Sequence, residues 1–497
     1  MKQKIINYIR AGYAGLYLVS VEEQRIEAEI KTIANDLKYH LYFWSVVDGL
    51  ADTEGKVINA NDPMEVLEKI DALPEQTIIL LRDYHQFLAD ANPVLVRRFK
   101  DVLLSAKTKS KTLIVLGCRL CIPPELEHEL TVLDFALPGK DQLGDVLDGI
   151  VESAQLKPII GEDRDRALDA ACGLTTMEAE NAFALSVVQS KSIDPAIISK
   201  EKAQAVKKNG LLEIVETNES LESIGGLDVL KAWLLKRRQA FSSRARAYGL
   251  PTVKGLLITG IAGTGKSLSA KATAKVFGIP LLKLDAGRIF AGLVGQSEAN
   301  LRSVIQTAEA IAPCVLWIEE LEKAFSGIKS SGSTDGGTSS RVFGSFISWM
   351  QEKKSPVFIV ATANDVSQLP PELLRKGRFD EVFFVDLPNQ AEREAIWSIQ
   401  ISKYGRDPMD FDLVQLTRIT EGLTGSEIEA VFIEALFEGF DQGTEPEDMT
   451  IASVLSGFVP LSKMMAEPIE ALRKWAKGRA RYATTQPQGS KLRKVAA

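Results

Sequence analysis

"KGLLITGIAGTGKSLSAKATAKVFG", Lys254 to Gly278, is an apolar strand that runs into a glycine-rich loop and leaves it as a helix. Gly260, Gly265, Lys266 and Ser267 fit the spacing G-x-x-x-x-G-K-[ST], with Ile261, Ala262, Gly263 and Thr264 inside the loop and Leu268 just after it. The glycines let backbone N–H groups close around phosphate oxygens, and the helix start adds the positive end of its dipole. Lys266 is long enough to reach β- and γ-phosphates, and the Ser267 hydroxyl can ligate Mg²⁺. A glycine-rich turn that binds nothing is disfavoured by the strand before it and the helix after it.

Outward from this loop, apolar strands alternate with helices, which predicts an α/β fold with a parallel sheet covered on both faces. "VLWIEELEKAF" (Val315 to Phe325) is a buried-type strand that breaks into Glu319, Glu320 and Glu322. "PVFIVATAN" is a second such strand, ending at Asn364. Carboxylates placed there suit a metal and its bound phosphate, whereas Glu322 reads as a solvated acid opening a helix.

The same landmarks occur earlier in the same order. "PPEL" begins at Pro123 and again at Pro370, "DFALP" ends at Pro138 and "FVDLP" at Pro388, and "GLTTMEAENAF" at Gly173 matches "GLTGSEIEAVF" at Gly422. The step from proline to glycine is 35 residues in the first set and 34 in the second. Three matches in register imply a duplicated unit; an unrelated α/β domain with chance matches is the alternative. The early copy lacks the chemistry: "EEQR" stands where the phosphate loop would be, Arg82 stands at the place of Glu319, "TLIVLGC" ends without an equivalent of Asn364, and no R-x-G-R follows.

Bulk properties set limits. The 497 residues are 45% hydrophobic and 25% charged with a net charge of -7, which suits a globular chain and gives no field that attracts nucleic acid or anionic membrane. Four cysteines do not make a disulfide scaffold and point to a reducing compartment, and "CRLC" (Cys118 to Cys121) reads as a coincidental pair. No apolar run reaches the roughly 18 residues a membrane span needs, and "AGYAGLYLVSV" (Ala11 to Val21) has no cleavage site, so a cytoplasmic location is expected. Arg473 to Lys494 holds eight basic residues and no acid; a solvated end is favoured over a docking tail, and no zinc spacing or aromatic-interleaved basic surface supports nucleic-acid binding.

The ordered set "SIGGL", "GIAGTGKS", "GLVGQSEANLR", "VLWIEE", "ATAN", "PPELLRKGRFD" and "GLTGSE" resembles the AAA module of the AAA+ ATPases over about Leu221 to Leu436. "APCVLWI", "TSSRVFG" and "WAKGRAR" are similar to phrases in hypothetical AAA-type ATPases encoded in algal plastid and cyanobacterial genomes, and that resemblance covers nearly the whole chain. It implies ATP and Mg²⁺ as ligands. Ile224 and Gly225 would touch adenine, with Gly425 closing that side from a helical lid. Lys266 and Ser267 would hold phosphate and metal, Glu319 would take the place of the usual Asp that orients Mg²⁺, and Glu320 would be the catalytic base. Asn364 would be the polar sensor of the γ-phosphate, and Arg375 and Arg378 would reach a neighbouring subunit's nucleotide, which implies a homo-oligomeric ring, a hexamer by resemblance. Glu319 is one methylene longer than Asp, so binding should survive better than turnover. Leu293 stands where ring translocases carry an aromatic residue, and Phe325 to Ser340 reads as a loop that lines a pore or merely connects.

These readings divide the chain into a degenerate AAA-like copy (1–208), a linker (209–222), an ATPase α/β core (223–388), a helical lid (389–480) and a basic flexible tail (481–497). The leading expectation is Mg²⁺-dependent ATP hydrolysis coupled to remodelling of a protein partner. An ATP-binding switch or scaffold with little turnover is the alternative, and a nucleic-acid remodeller rests on the tail alone.

Overall fold

Short runs of Leu, Ile, Val and Phe, each too apolar to leave a face in water, collect into two mainly parallel sheets. The computed structural model describes residues 1–89, 92–208, 210–290, 296–323, 338–375 and 377–485. The chain divides into two compact units, Met1–Lys202 and Ala203–Ala497.

The first unit contains β1 (Gly15–Val19), β2 (His40–Ser45), β3 (Gly49–Asp52), β4 (Val57–Ile58), β5 (Thr77–Arg82), β6 (Thr112–Gly117) and β7 (Thr131–Asp134), in the order β4-β3-β2-β5-β6-β1-β7. From β2 to β7 every pairing is parallel, and β3 and β4 extend one edge antiparallel.

The second unit contains β8 (Leu212–Ile214), β9 (Gly255–Gly260), β10 (Leu281–Leu284), β11 (Cys314–Ile318), β12 (Val357–Ala363), β13 (Glu381–Val385) and β14 (Arg481–Tyr482), in the order β14-β13-β9-β12-β11-β10-β8. Successive side chains along a strand point to opposite faces. Leu257, Leu316, Ile318 and Ile359 therefore enter one core with Leu301, Val304, Phe346 and Met350. Leu256, Ile258, Val315 and Phe358 enter the other with Leu230, Trp233, Ala270 and Phe277. Beyond β13 the Gln390–Lys403, Leu413–Ile419 and Gly425–Gln442 helices form a separate core around Trp397, Leu416 and Phe432.

The five parallel strands of the two units have one order, β7-β1-β6-β5-β2 against β13-β9-β12-β11-β10. Their registers match residue for residue. Gly15 faces Leu113 as Gly255 faces Ile359, and Ile79 faces Leu113 as Leu316 faces Ile359. Arg82 thus falls at the position of Glu319, Asp83 at Glu320, His85 at Glu322 and Cys118 at Asn364. Asp83 (φ 52°) and Glu320 (φ 49°) share a left-handed backbone that few non-glycine residues adopt. The duplication expected from three short phrases is carried by the whole sheet.

Two segments differ from the expectation. The stretch expected as a linker contains β8, which pairs antiparallel with β10. The expected flexible tail begins as β14, paired with β13; Ala483 is buried and Thr485 binds Asp228 through backbone N–H and hydroxyl. Alternating Arg481 and Tyr482 fit an edge strand, a pattern too short to read from sequence. Leu293, residues 325–337 and residues 486–497 lie outside the described residues.

Candidate nucleotide site

The β9–helix junction builds the site. Gly260 has φ 146°, and a Cβ there would meet the Val385 carbonyl oxygen at 2.0 Å, so only glycine lets β9 leave the sheet at this point. The loop that follows turns into the Lys266–Phe277 helix, whose first N–H groups have no intrahelical acceptor. A pocket of ≈ 360 Å³ opens there, lined by Ala262, Gly263, Thr264, Gly265, Lys266, Ser267 and Leu268 from the loop and helix. Ile224 and Gly225 line one side, and Gly425 lines the side formed by the Gly425–Gln442 helix. Lid and loop touch directly: the Ser426 N–H donates to the Gly263 carbonyl at 3.0 Å.

Lys266 is buried, and its ammonium donates to the Gly260 and Ile261 carbonyls at 2.9 and 2.6 Å. Burial pushes its pKa down to about 8, against the opposing charges of Glu322 and Glu320. A buried cation beside free helix N–H groups is suited to a phosphate.

The ends of β11 and β12 bring the carboxylates to the same pocket. Glu319 Oε1 accepts from the Ser267 hydroxyl at 2.8 Å, and its Oε2 pairs with Lys283 Nζ at 2.7 Å. Glu320 Oε1 accepts from Asn364 Nδ2 at 3.2 Å, and its other oxygen pairs with Lys323. Thr362 Oγ1 accepts from the Glu320 N–H at 3.2 Å, which fixes the backbone turn that aims this side chain. Ser267 and Glu319 form an oxygen pair of the kind a Mg²⁺ ion takes alongside phosphate oxygens and water.

The expectation for Glu322 is corrected. It is 5% exposed, and one carboxylate oxygen accepts from the Asn364 N–H at 2.9 Å. It holds the end of β12 rather than facing water. The geometry joins Ile224, Gly225, the loop, Glu319, Glu320, Asn364 and Gly425 in one cleft, with Gly260 and Ile261 beneath it. Arg375 and Arg378 do not line it. Sequence reasoning missed Thr362, Ile396, Gln400 and Ser426, which also line the pocket, and Lys283 behind Glu319. For Lys283 a signal existed: one charge inside the otherwise buried strand "LLKL".

Comparison with known families agrees with this geometry. Residues 256–387 match the model described as ATPase family associated with various cellular activities (AAA). Residues 1–135 and 141–209 match the N-terminal and second domains of SpoVK-like AAA ATPases. A protein named uncharacterized AAA domain-containing protein ycf46 from Trieres chinensis is 40% identical over 97% of this chain and 98% of its own length. The chain belongs to the AAA ATPase family. Proteins of the same name from Pyropia yezoensis and Guillardia theta are each 39% identical, over 96% of this AAA chain and 98% and 95% of their own lengths. Among the described residues, no single helix of the AAA chain is long and apolar enough to cross a membrane.

Proposed function

We propose that the protein binds ATP with Mg²⁺ and hydrolyses it, and that a homo-oligomer uses this cycle to remodel a protein partner. The observation that carries the reading is the Glu320–Asn364 pair, 3.2 Å apart on the wall of the pocket that contains Lys266 and Ser267. Ile224 and Gly225 would seat adenine, with Gly425 opposite. Loop N–H groups and Lys266 would hold the β- and γ-phosphates. Ser267 and Glu319 would hold Mg²⁺, which when bound supplies charge neutralisation at the phosphate oxygens. Glu320 would orient a water and take its proton as the water oxygen bonds to γ-phosphorus and the bond to the β-phosphate oxygen breaks. Asn364 would hold Glu320 and the γ-phosphate in register. Arg375 and Arg378, outside this chain's own pocket, would serve a neighbouring subunit's site. Among the described residues no disulfide joins the four cysteines, and a reducing compartment such as the cytoplasm would keep them so.

A second reading, an ATP-responsive switch with little turnover, is favoured by Glu319 in the usual place of Asp and by Lys323 on Glu320. A multiple-turnover phosphate-release assay on the full chain separates the two. Lys266→Ala should lose binding and turnover together, whereas Glu320→Gln should keep ATP bound. Turnover in Glu320→Gln equal to the parent would remove Glu320 from its role, and no turnover in the parent would favour the switch.

A further inference from the structure

Glu319 has its carboxylate held at both oxygens by side chains from two other elements, the Lys266–Phe277 helix and β10. Ser267 Oγ donates to one at 2.8 Å and Lys283 Nζ approaches the other at 2.7 Å. Lys283 comes from β10, the strand beside β11, where it lies opposite Trp317 with its ammonium 4.7 Å from the ring centroid. The side chains are 37% and 32% exposed, and an ion pair so open to water adds little to stability. What it fixes is direction. Glutamate has one more rotatable bond than the aspartate usual at this place, and a tether on the outer oxygen confines that freedom so that the inner oxygen stays against Ser267.

The first unit offers an internal comparison. The position of Lys283 is taken there by Phe43 and that of Glu319 by Arg82, and the Arg82 guanidinium lies 5.3 Å from the Phe43 ring centroid. The two positions contact each other in both copies, Lys283 with Glu319 in the second unit and Phe43 with Arg82 in the first. Burial alone would hinder ionisation of Glu319, yet hydrogen bonds from Lys283 and Ser267 and the charges of Lys283 and Lys271 keep its carboxyl below the usual range.

We infer that Lys283 is a positioning residue that sets the Glu319 carboxylate against Ser267 and so adapts a glutamate to the metal position. The inference rests on the ATP–Mg²⁺ reading of this pocket. It concerns a residue outside the expected motif set.

The test is a double-mutant cycle in the full chain. Lys283→Met should lower kcat about 10-fold with KM for ATP changed less than about 2-fold, a magnitude typical for partners that orient a metal ligand. Mn²⁺ affinity of the protein–ATP complex, read by electron paramagnetic resonance without reference to turnover, should weaken by about 10-fold. Lys283→Arg should restore most of both. In a Glu319→Asp background the shorter side chain needs no tether, so Lys283→Met should cost less than about 2-fold there. Equal losses in both backgrounds, or unchanged Mn²⁺ affinity in Lys283→Met, would overturn the positioning role alone. A parent chain that binds no Mn²⁺–ATP would overturn the ATP–Mg²⁺ reading together with it.

Discussion

The two units each have a sheet of the same central strand order and differ at its mouth. From the register-equivalent positions Val19 and Thr259, three residues lead to the helix in the first unit and six in the second, so the first has no room for a phosphate-wrapping loop. Where the second unit has open glycines, the first has Glu22, 4% exposed, whose carboxylate accepts from the Thr176 N–H at 2.7 Å and its hydroxyl at 2.6 Å. Thr176 is the counterpart of Gly425 in the repeated "GLT" phrase. Arg25 joins this cluster through Glu22, Gln142 and the Ala136 carbonyl. At the place of Glu319, the acid proposed for the metal, Arg82 pairs with Glu27 and Asp48. The charges are inverted: a carboxylate lies near the expected phosphate position and a guanidinium near the metal's. A sheet keeps its topology when its own side chains occupy the places proposed for ligands.

The largest effect that could break this comparison lies at its equivalent acids. Glu320→Gln should lower phosphate release by about 10³-fold or more, the range for a group that acts in the transition state. Asp83→Asn should leave turnover within about 2-fold, and a matching loss would mean both mouths are active. Next come the arginines. Arg378→Ala should cut turnover by about 10³-fold while ATP stays bound, and mixing it with Lys266→Ala subunits should restore some activity. A rate per subunit that is flat from nanomolar to tens of micromolar, with no recovery on mixing, would confine those arginines to one chain.

The first unit should respond in stability instead. Glu22→Ala removes a buried acceptor of three hydrogen bonds, one of them from Arg25, so the unfolding free energy of the first unit should fall by about 3 kcal/mol with turnover unchanged. A loss below about 0.5 kcal/mol would show that the cluster holds nothing together.

The smallest effect concerns a likeness rather than a difference. Each unit buries a lysine near the start of its fourth parallel strand. Lys111 donates to the Ile70 and Asp71 carbonyls, and Lys353 to the Val357 carbonyl. Burial lowers both, Lys353 to about 8 from an ordinary 10.5. A base depressed on folding opposes folding while protonated. The cost is full below pH 8 and fades as pH rises to 10.5, so stability relative to Lys353→Met should increase over that window by up to about 3 kcal/mol. A difference that is flat with pH would place the Lys353 ammonium in water.

Much of this was legible in the sequence. Alternating strands and helices gave the fold class, and the ordered phrases located Lys266, Ser267, Glu319, Glu320 and Asn364, since local spacing decides which groups meet at a strand end. Contacts between distant segments were not legible. Lys283 lies 36 positions from Glu319 and meets it through strand order alone. Glu322 resembles its neighbours in composition, and its burial against the Asn364 N–H depends on a strand end 42 positions away. β8 and β14 are too short for periodicity to mark, and their pairing depends on edges that the rest of the sheet creates.

That last pair has a consequence for biosynthesis. β8 and β14 close opposite edges of one sheet, yet they are the first and last strands of their unit to be made. The carboxylate of Glu392 binds the Leu227 N–H and the Thr484 hydroxyl, joining chain translated early to chain translated late. At roughly 5–20 residues per second, the ribosome finishes the Met1–Lys202 unit tens of seconds before Thr484 emerges. Between synthesis of β13 and of β14 the nascent chain carries one completed sheet and one whose β13 edge is open, a row of unpaired N–H and C=O groups of the kind that can template pairing with another strand.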